Sequence, residues 1–396
     1  MKFPATLPIP EEVLEIARKL EQAGYETWCV GGALRDALLG DPHSDYDLAT
    51  SATPEEVQAL FRRTAAVGLK YGTVGVLDRH RTMHEVTTFR RDVSTDGRHA
   101  VVAYGVALDD DLARRDFTIN AIAYHPLRHE WRDPFGGADD LERGVLRAVG
   151  DPAQRFREDY LRVLRALRFA ARFGFAIEPA TWKAAHGAAP GLIQLSAERV
   201  RDEWFKGLRT ARSLTDLVSL WTASGAAGVW LPELEPERLA VLPAAAASST
   251  QTRDPVVFTV LLCSDPVGVL RRLKASNAEI DRAAALVTGP PAPDGGDQPA
   301  VRRWLARVGD ATGDLIALAT IRAGRVPDWA AAVRRIQDRG DPLGRSDLAI
   351  TGNDLLTLGV TGPRVGEILT HLLDRVLEDP TLNHRDRLLA LARELI

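Results

Sequence analysis

With 396 residues the chain is long enough to bury a large core and to hold more than one domain. Its 45% hydrophobic and 26% charged residues exclude a disordered chain, and a net charge of −4 excludes a surface coated in basic side chains. Two cysteines, Cys29 and Cys263, exclude a disulfide framework and point to a reducing compartment.

The N-terminal stretch MKFPATLPIPEEV has no apolar run of signal-peptide length, and the longest apolar run elsewhere, 256–263, is too short to span a bilayer. The expectation is a soluble, cytoplasmic protein with no membrane partner and no obligate protein partner. Residues 11–23 carry helical periodicity that stops at Gly24. Residues 26–30 read as a strand, followed by the pair Gly31-Gly32 and a short helix over 33–39. A second short strand is expected over 45–50, and β-rich runs follow at 73–77, 85–89 and 101–106. From residue 151 onward the strand signals nearly vanish, and Leu, Ala, Arg and Glu recur at helical spacing. Pro, Gly and Asp crowd residues 289–300, which read as a surface loop. The expected fold class is α+β, a mixed-sheet head with helices followed by an all-helical remainder.

Chemistry concentrates in residues 30–50. Asp45 and Asp47 are two apart on an expected strand, so their carboxylates share a face. Adjacent carboxylates repel unless a cation lies between them, and hard oxygen donors suit Mg²⁺ with substrate phosphates completing its shell. An isolated Asp-x-Asp usually marks no more than a solvated turn. Here Gly31, Gly32 and Arg35 precede it, and glycines between a strand and a helix let backbone N–H groups approach phosphates closely.

A second concentration lies between residues 151 and 175, where arginines 155, 157, 162, 165, 168 and 172 face only Asp151, Glu158 and Asp159. Affinity for phosphates depends on such local placement rather than on net charge. Asp159 and Arg162 are three apart on an expected helix and so share a face. A carboxylate accepts from an exocyclic amino group, and a guanidinium donates to ring acceptors. Cytosine and adenine both present an amino group beside an acceptor nitrogen, which one acceptor–donor pair of this kind can meet.

Three ordered stretches carry a resemblance to a known family. GGALRDALLGDPHSDYDLAT (31–50) resembles the signature of the polymerase-β-like nucleotidyltransferase head. ARRDFTINAIAY (113–124) and EDYLRVLRALRFAARFGF (158–175) resemble two further motifs of bacterial, class II tRNA nucleotidyltransferases, the CCA-adding enzymes. ITGNDLLTLG and the C-terminal LLDRVLEDPTLNHRDRLLALARELI are similar to that family's helical tail. The resemblance implies a catalytic head over 1–148, a helical neck that reads the nucleotide base over 149–211, a helical body over 212–340 and a tRNA-binding tail over 341–396. It implies that Gly31, Gly32 and Arg35 hold the incoming triphosphate, and that Asp45 and Asp47 bind two Mg²⁺ ions in a two-metal mechanism. Glu85, on a neighbouring strand, is the candidate third carboxylate. Arg115, with Asp116 and Asn120, would recognise ribose and phosphate. Asp159 and Arg162 would read CTP or ATP, with Arg165 and Arg168 supporting base and triphosphate. Arg199 and Arg201, downstream of the N-cap candidate Ser196, are candidate RNA contacts.

The implied partners are tRNA, CTP and ATP. Residues 65–76, AAVGLKYGTVGV, lack the basic segment of bacterial poly(A) polymerases, and residues 89–113 are close to the full length of the loop that CC-adding enzymes shorten. Full CCA addition or A addition alone is therefore expected. A metal-dependent RNA phosphodiesterase and a non-catalytic RNA-binding protein are the alternatives from other classes.

Overall fold

The structure is a computed structural model, and it describes all residues except 1, 42–45, 69–71, 96–99, 241 and 243–252. It divides into two compact units, Met1–Leu234 and Glu235–Ile396.

The first unit opens with α1 (Glu11–Gln22), which buries Val13, Ile16 and Leu20 along one stripe. The strands that follow are β1 (Thr27–Val30), β2 (Asp47–Thr50), β3 (Thr64–Ala65), β4 (Thr73–Leu77), β5 (Met83–Thr88), β6 (Arg90–Thr95), β7 (Ala100–Tyr104), β8 (Ala123–His125) and β9 (Glu130–Arg132). Seven of them form one mixed sheet in the order β3-β4-β5-β2-β1-β8-β9, while β6 and β7 pair only with each other. β2 runs parallel to β5, and the other pairs in the sheet are antiparallel.

β1 is buried on both faces, which explains its unbroken apolar run. Cys29 packs on one face with Leu48, Val86, the α1 stripe, Leu34 of α2 (Gly32–Leu38) and Val57 of α3 (Pro54–Leu60). Trp28 and Val30 pack on the other with Ala49, Phe89 and two residues of α4 (Leu108–Ala113), Leu108 and Leu112. A 3₁₀ turn, Thr118–Asn120, and α5 (Gly137–Arg143) follow.

Beyond residue 150 come α6 (Pro152–Glu158), α7 (Leu161–Phe173), α8 (Pro179–Ala188), α9 (Ala197–Thr210), α10 (Leu214–Ala223) and α11 (Ala226–Trp230). α7 packs against α9 and α10, burying Val163, Leu164 and Leu167, while α9 buries Val200 and Trp204. The helix expected to run through Asp159 is broken there. Asp159 has φ −155° and ψ 106°, so it ends α6 and precedes α7. Its side chain accepts from the Leu161 N–H at 3.0 Å, a local bond that competes with helix continuation.

Among its described residues the second unit is helical, with no strand. Its longest helix, Pro363–Glu378, ends on a buried arginine from another helix, Gln298–Val308. Arg302 donates to the Leu377 and Glu378 carbonyls at 2.6 and 2.8 Å and to Asp341 at 3.2 Å, satisfying groups that a helix end leaves open. No described helix is long and apolar enough to cross a membrane.

Candidate nucleotide and RNA cleft

β1 ends at Gly31, whose φ of 86° is left-handed and costs glycine little. A Cβ at that position would lie 3.4 Å from an Asp47 carboxylate oxygen and 3.6 Å from Arg115 Nη1. The turn therefore brings an acidic and a basic side chain to one point. Asp47 opens β2 opposite Val30, with its side chain exposed. The strand expected from residue 45 begins at Asp47, and Asp45 lies outside the described residues.

Glu85 is exposed on β5. Leu48 faces Val86 across the parallel β2–β5 pair, so Asp47 and Glu85 each sit one residue before that pair and share a sheet face. Glu85 does not line the cleft described next.

A cleft of about 610 Å³ opens between the head and α7. It is lined by Gly31, Gly32, Arg35, Asp47, Arg115, Asp116 and Asn120 from the first motifs, and by Asp159, Arg162, Arg165 and Arg168 from the arginine ladder. Three basic side chains outside the expected site, Arg114, Arg172 and Lys206, join them, together with Arg199, one of the two candidate RNA contacts. Arg172 was legible as the next rung after Arg168. Arg199 and Lys206 reach the cleft because α9 packs on α7, and no spacing in the sequence signals Lys206. Arg201 instead pairs with its neighbour Asp202. Eight arginines and a lysine thus face three aspartates.

The cleft floor is a chain of charge-assisted hydrogen bonds. Arg172 reaches Asp36 at 3.1 Å, Asp36 holds Arg35 at 2.7 Å, and Arg35 donates to the Asn120 side-chain oxygen at 2.6 Å. Asn120 donates to Asp116 at 2.9 Å, and Asp116 accepts from Arg165 Nε at 2.7 Å. Burial alone would raise the Asp116 carboxyl pKa, yet Arg165, Asn120 and Arg162 hold it down to about 2. Burial pulls the Arg35 guanidinium below its ordinary value, and Asp36 opposes that pull. Arg115 pairs with Asp111, whose carboxyl is kept low against burial by Arg115 and Arg114.

The two base-reading candidates are both preset. Asp159 accepts from Arg199 at 2.7 Å. Arg162 donates to Glu158 at 2.8 Å and to the Arg114 carbonyl at 2.9 Å. They reach one cleft through the turn between α6 and α7, where the Arg162 N–H bonds the Asp159 carbonyl at 3.0 Å, rather than through a shared helix face.

Two family models match the chain, one described as the poly A polymerase head domain over residues 27–147 and the other as the probable RNA and SrmB-binding site of polymerase A over 174–237. The CCA-adding enzyme of Lacticaseibacillus paracasei is 35% identical, covering 100% of this chain and 99% of that enzyme. The CCA-adding enzyme of Lactiplantibacillus plantarum is 36% identical over 99% of this chain and 96% of its own length. The crystal structure of the Bacillus stearothermophilus CCA-adding enzyme in complex with CTP superposes with a TM-score of 0.82 at 31% identity, covering 98% of each chain.

Proposed function

The chain belongs to the CCA-adding enzyme family, and from that premise we propose that it is a tRNA nucleotidyltransferase that completes the tRNA 3′ end with C, C and A taken from CTP and ATP. The observation that carries this reading is the cleft itself, where nine basic side chains, Asp47 and the Asp159–Arg162 pair face one volume. An arginine-rich cleft suits a triphosphate and an RNA end, and the acceptor–donor pair supplies a reason to choose C and A.

Nucleotidyltransferase heads of this family use a divalent metal, and hard carboxylate oxygens are the donors present on the sheet edge. Asp47 is exposed on the face that Glu85 shares, which fits Mg²⁺ held by Asp47 and Asp45, with Glu85 the third carboxylate. When bound, the metal would supply Lewis-acid stabilisation of charge developing on the phosphate oxygens.

The remaining roles belong to this chain's own side chains. In the proposed reaction the tRNA 3′-hydroxyl attacks the α-phosphorus, the α–β bridging bond breaks, and pyrophosphate leaves. Gly31 and Gly32 keep the strand–helix turn free of side chains where the phosphates would lie. Arg35, Arg165 and Arg168 would neutralise the triphosphate, and Arg115, with Asp116 and Asn120 behind it, would hold the ribose and α-phosphate side. Preset cations of this kind stabilise developing charge without reorganising at the moment of reaction. The division into head 1–148, neck 149–211, body 212–340 and tail 341–396 is part of the same proposal, with the tail contacting tRNA.

Incubating the protein with labelled CTP and ATP and tRNA ending before CCA, or ending in CC, tests the reading. Incorporation on both substrates is the expected result. Incorporation on the CC-ending tRNA alone would indicate A addition, and shortening of the RNA would indicate a phosphodiesterase. Asp47→Ala is expected to abolish incorporation with the fold retained, and turnover near that of the parent would remove Asp47 from the metal site.

A further inference from the structure

Phe169 lies in α7 one turn beyond Arg165, only 4% exposed, and lines the cleft. Three guanidinium groups gather on its ring. The guanidinium carbons of Arg168, Arg35 and Arg165 lie 4.1, 5.0 and 5.2 Å from the ring centroid. One turn further on, Phe173 stacks on Phe169 with centroids 5.9 Å apart and planes 10° from parallel. Phe173 carries Arg35 at 4.9 Å and Arg172 at 4.8 Å, so Arg35 rests against both rings. Phe117 meets Phe169 edge-on from the head side, at 5.9 Å and 86°.

Four cations converge on this pair of rings, and among the described residues three carboxylates form their ion pairs: Asp36 with Arg35 and Arg172, Asp116 with Arg165, and Glu203 with Arg168. A surplus of like charge at close range is unfavourable, and burial adds to that cost for Arg35 and Arg168. An aromatic face attracts a cation through its quadrupole and needs no counter-charge. A fourth carboxylate would neutralise the cluster and repel the ligand. A ring gathers the guanidinium groups and leaves their charge available.

We propose that Phe169 is a positioning residue that presets Arg35, Arg165 and Arg168 for the triphosphate by cation–π attraction rather than by serving only as core filling. This rests on the nucleotidyltransferase reading above. The ring quadrupole is the property to vary, because size and burial are shared with any apolar residue. Replacing Phe169 by 4-fluoro-, 3,5-difluoro- and pentafluorophenylalanine weakens the quadrupole stepwise at nearly constant volume, and Phe169→Leu removes it.

Equilibrium binding of CTP, inhibition by inorganic pyrophosphate, KM and kcat for CTP and ATP, KM for tRNA, and Tm are measured across the series. KM for CTP and ATP is expected to climb together with fluorination, to roughly tenfold in the pentafluoro and leucine proteins, with pyrophosphate inhibition weakening in parallel. Tm is expected to fall modestly with fluorination and further in the leucine protein, which also leaves space beside Phe173 and Phe117, whereas the KM for tRNA and the preference for C and A over U and G are expected to stay near the parent values. Fluorinated proteins that bind CTP as the parent does would overturn the proposal even if the leucine protein binds weakly, since the ring would then be filler. A change in base preference without a change in pyrophosphate inhibition would overturn it as well. A parent protein that binds neither CTP nor pyrophosphate would instead sink the nucleotidyltransferase reading on which it rests.

Discussion

Asp159 does three jobs with one carboxylate. It accepts from the Leu161 N–H at 3.0 Å, pairs with Arg199 at 2.7 Å, and faces the cleft. The first two bonds fix the oxygens before any base arrives, so the cost of ordering the side chain is met on folding rather than on binding. A hydrogen bond to a charged acceptor contributes about 1.5–3 kcal/mol. Asp159→Ala is therefore expected to let UTP or GTP compete, with discrimination falling by roughly tenfold or more, as read in a mixed-nucleotide incorporation assay. An unchanged preference would take Asp159 out of base reading. Asp116, 8% exposed, acts through pH instead. Its folded pKa of about 2 lies below the ordinary 3.8, so its stabilisation is complete above about pH 4 and is lost as pH falls toward 2. Asp116→Asn should lose roughly 2 kcal/mol at neutral pH. The gap in Tm between parent and variant should narrow from about pH 4 downward and close only as pH falls through about 2. A gap independent of pH across that range would show that the ion pair with Arg165 is not its source.

Among the elements, the Thr118–Asn120 turn links the head sheet to the cleft, because Asn120 joins Arg35 to Asp116. α5 presses on it through Gly137, where a Cβ would lie 2.2 Å from the Thr118 carbonyl oxygen. That carbonyl is backbone and cannot swing aside. Gly137→Ala should destabilise the protein by about 1–3 kcal/mol and raise the KM for CTP by displacing Asn120. A variant with unchanged Tm would show that α5 can slide without disturbing the turn. How much of this was legible in the sequence depended on how local each element's signal is. β1, α2 and the head of β2 were readable because apolar burial, a left-handed glycine and an acidic strand end all lie within 25 residues. β8 and β9, three residues each, are too short for alternation to show, and β8 is defined by pairing Tyr124 with the distant Cys29. The polar run Arg90–Thr95 gave no strand signal because β6 pairs only with β7 in a separate ribbon. The arginine ladder was legible from its spacing. The break at Asp159 was not, because there a side chain's own hydrogen bond outweighs strong flanking helix propensity.

The whole chain carries four more acidic than basic charges, yet the cleft of its first unit holds nine basic side chains against three aspartates. Acidic residues elsewhere set the total, while the local field of the cleft favours phosphates. Net charge is therefore a poor guide to how this protein meets RNA, and salt is the better probe. Single-stranded contacts release counterions with a log–log slope of about −0.7 for each phosphate neutralised. If the cleft neutralises about four phosphates at a tRNA end, affinity should fall roughly 50-fold between 50 and 200 mM salt. Lys206, at the cleft wall and outside the buried floor, is the cation to remove. Lys206→Ala should lower the magnitude of the slope by about one contact's worth without changing which nucleotide is added. Titrating labelled tRNA at four salt concentrations, parent against variant, measures both quantities. A flat salt dependence in the parent would mean that the basic cleft is not where RNA phosphates bind, and an unaltered slope in the variant would leave Lys206 outside the contact.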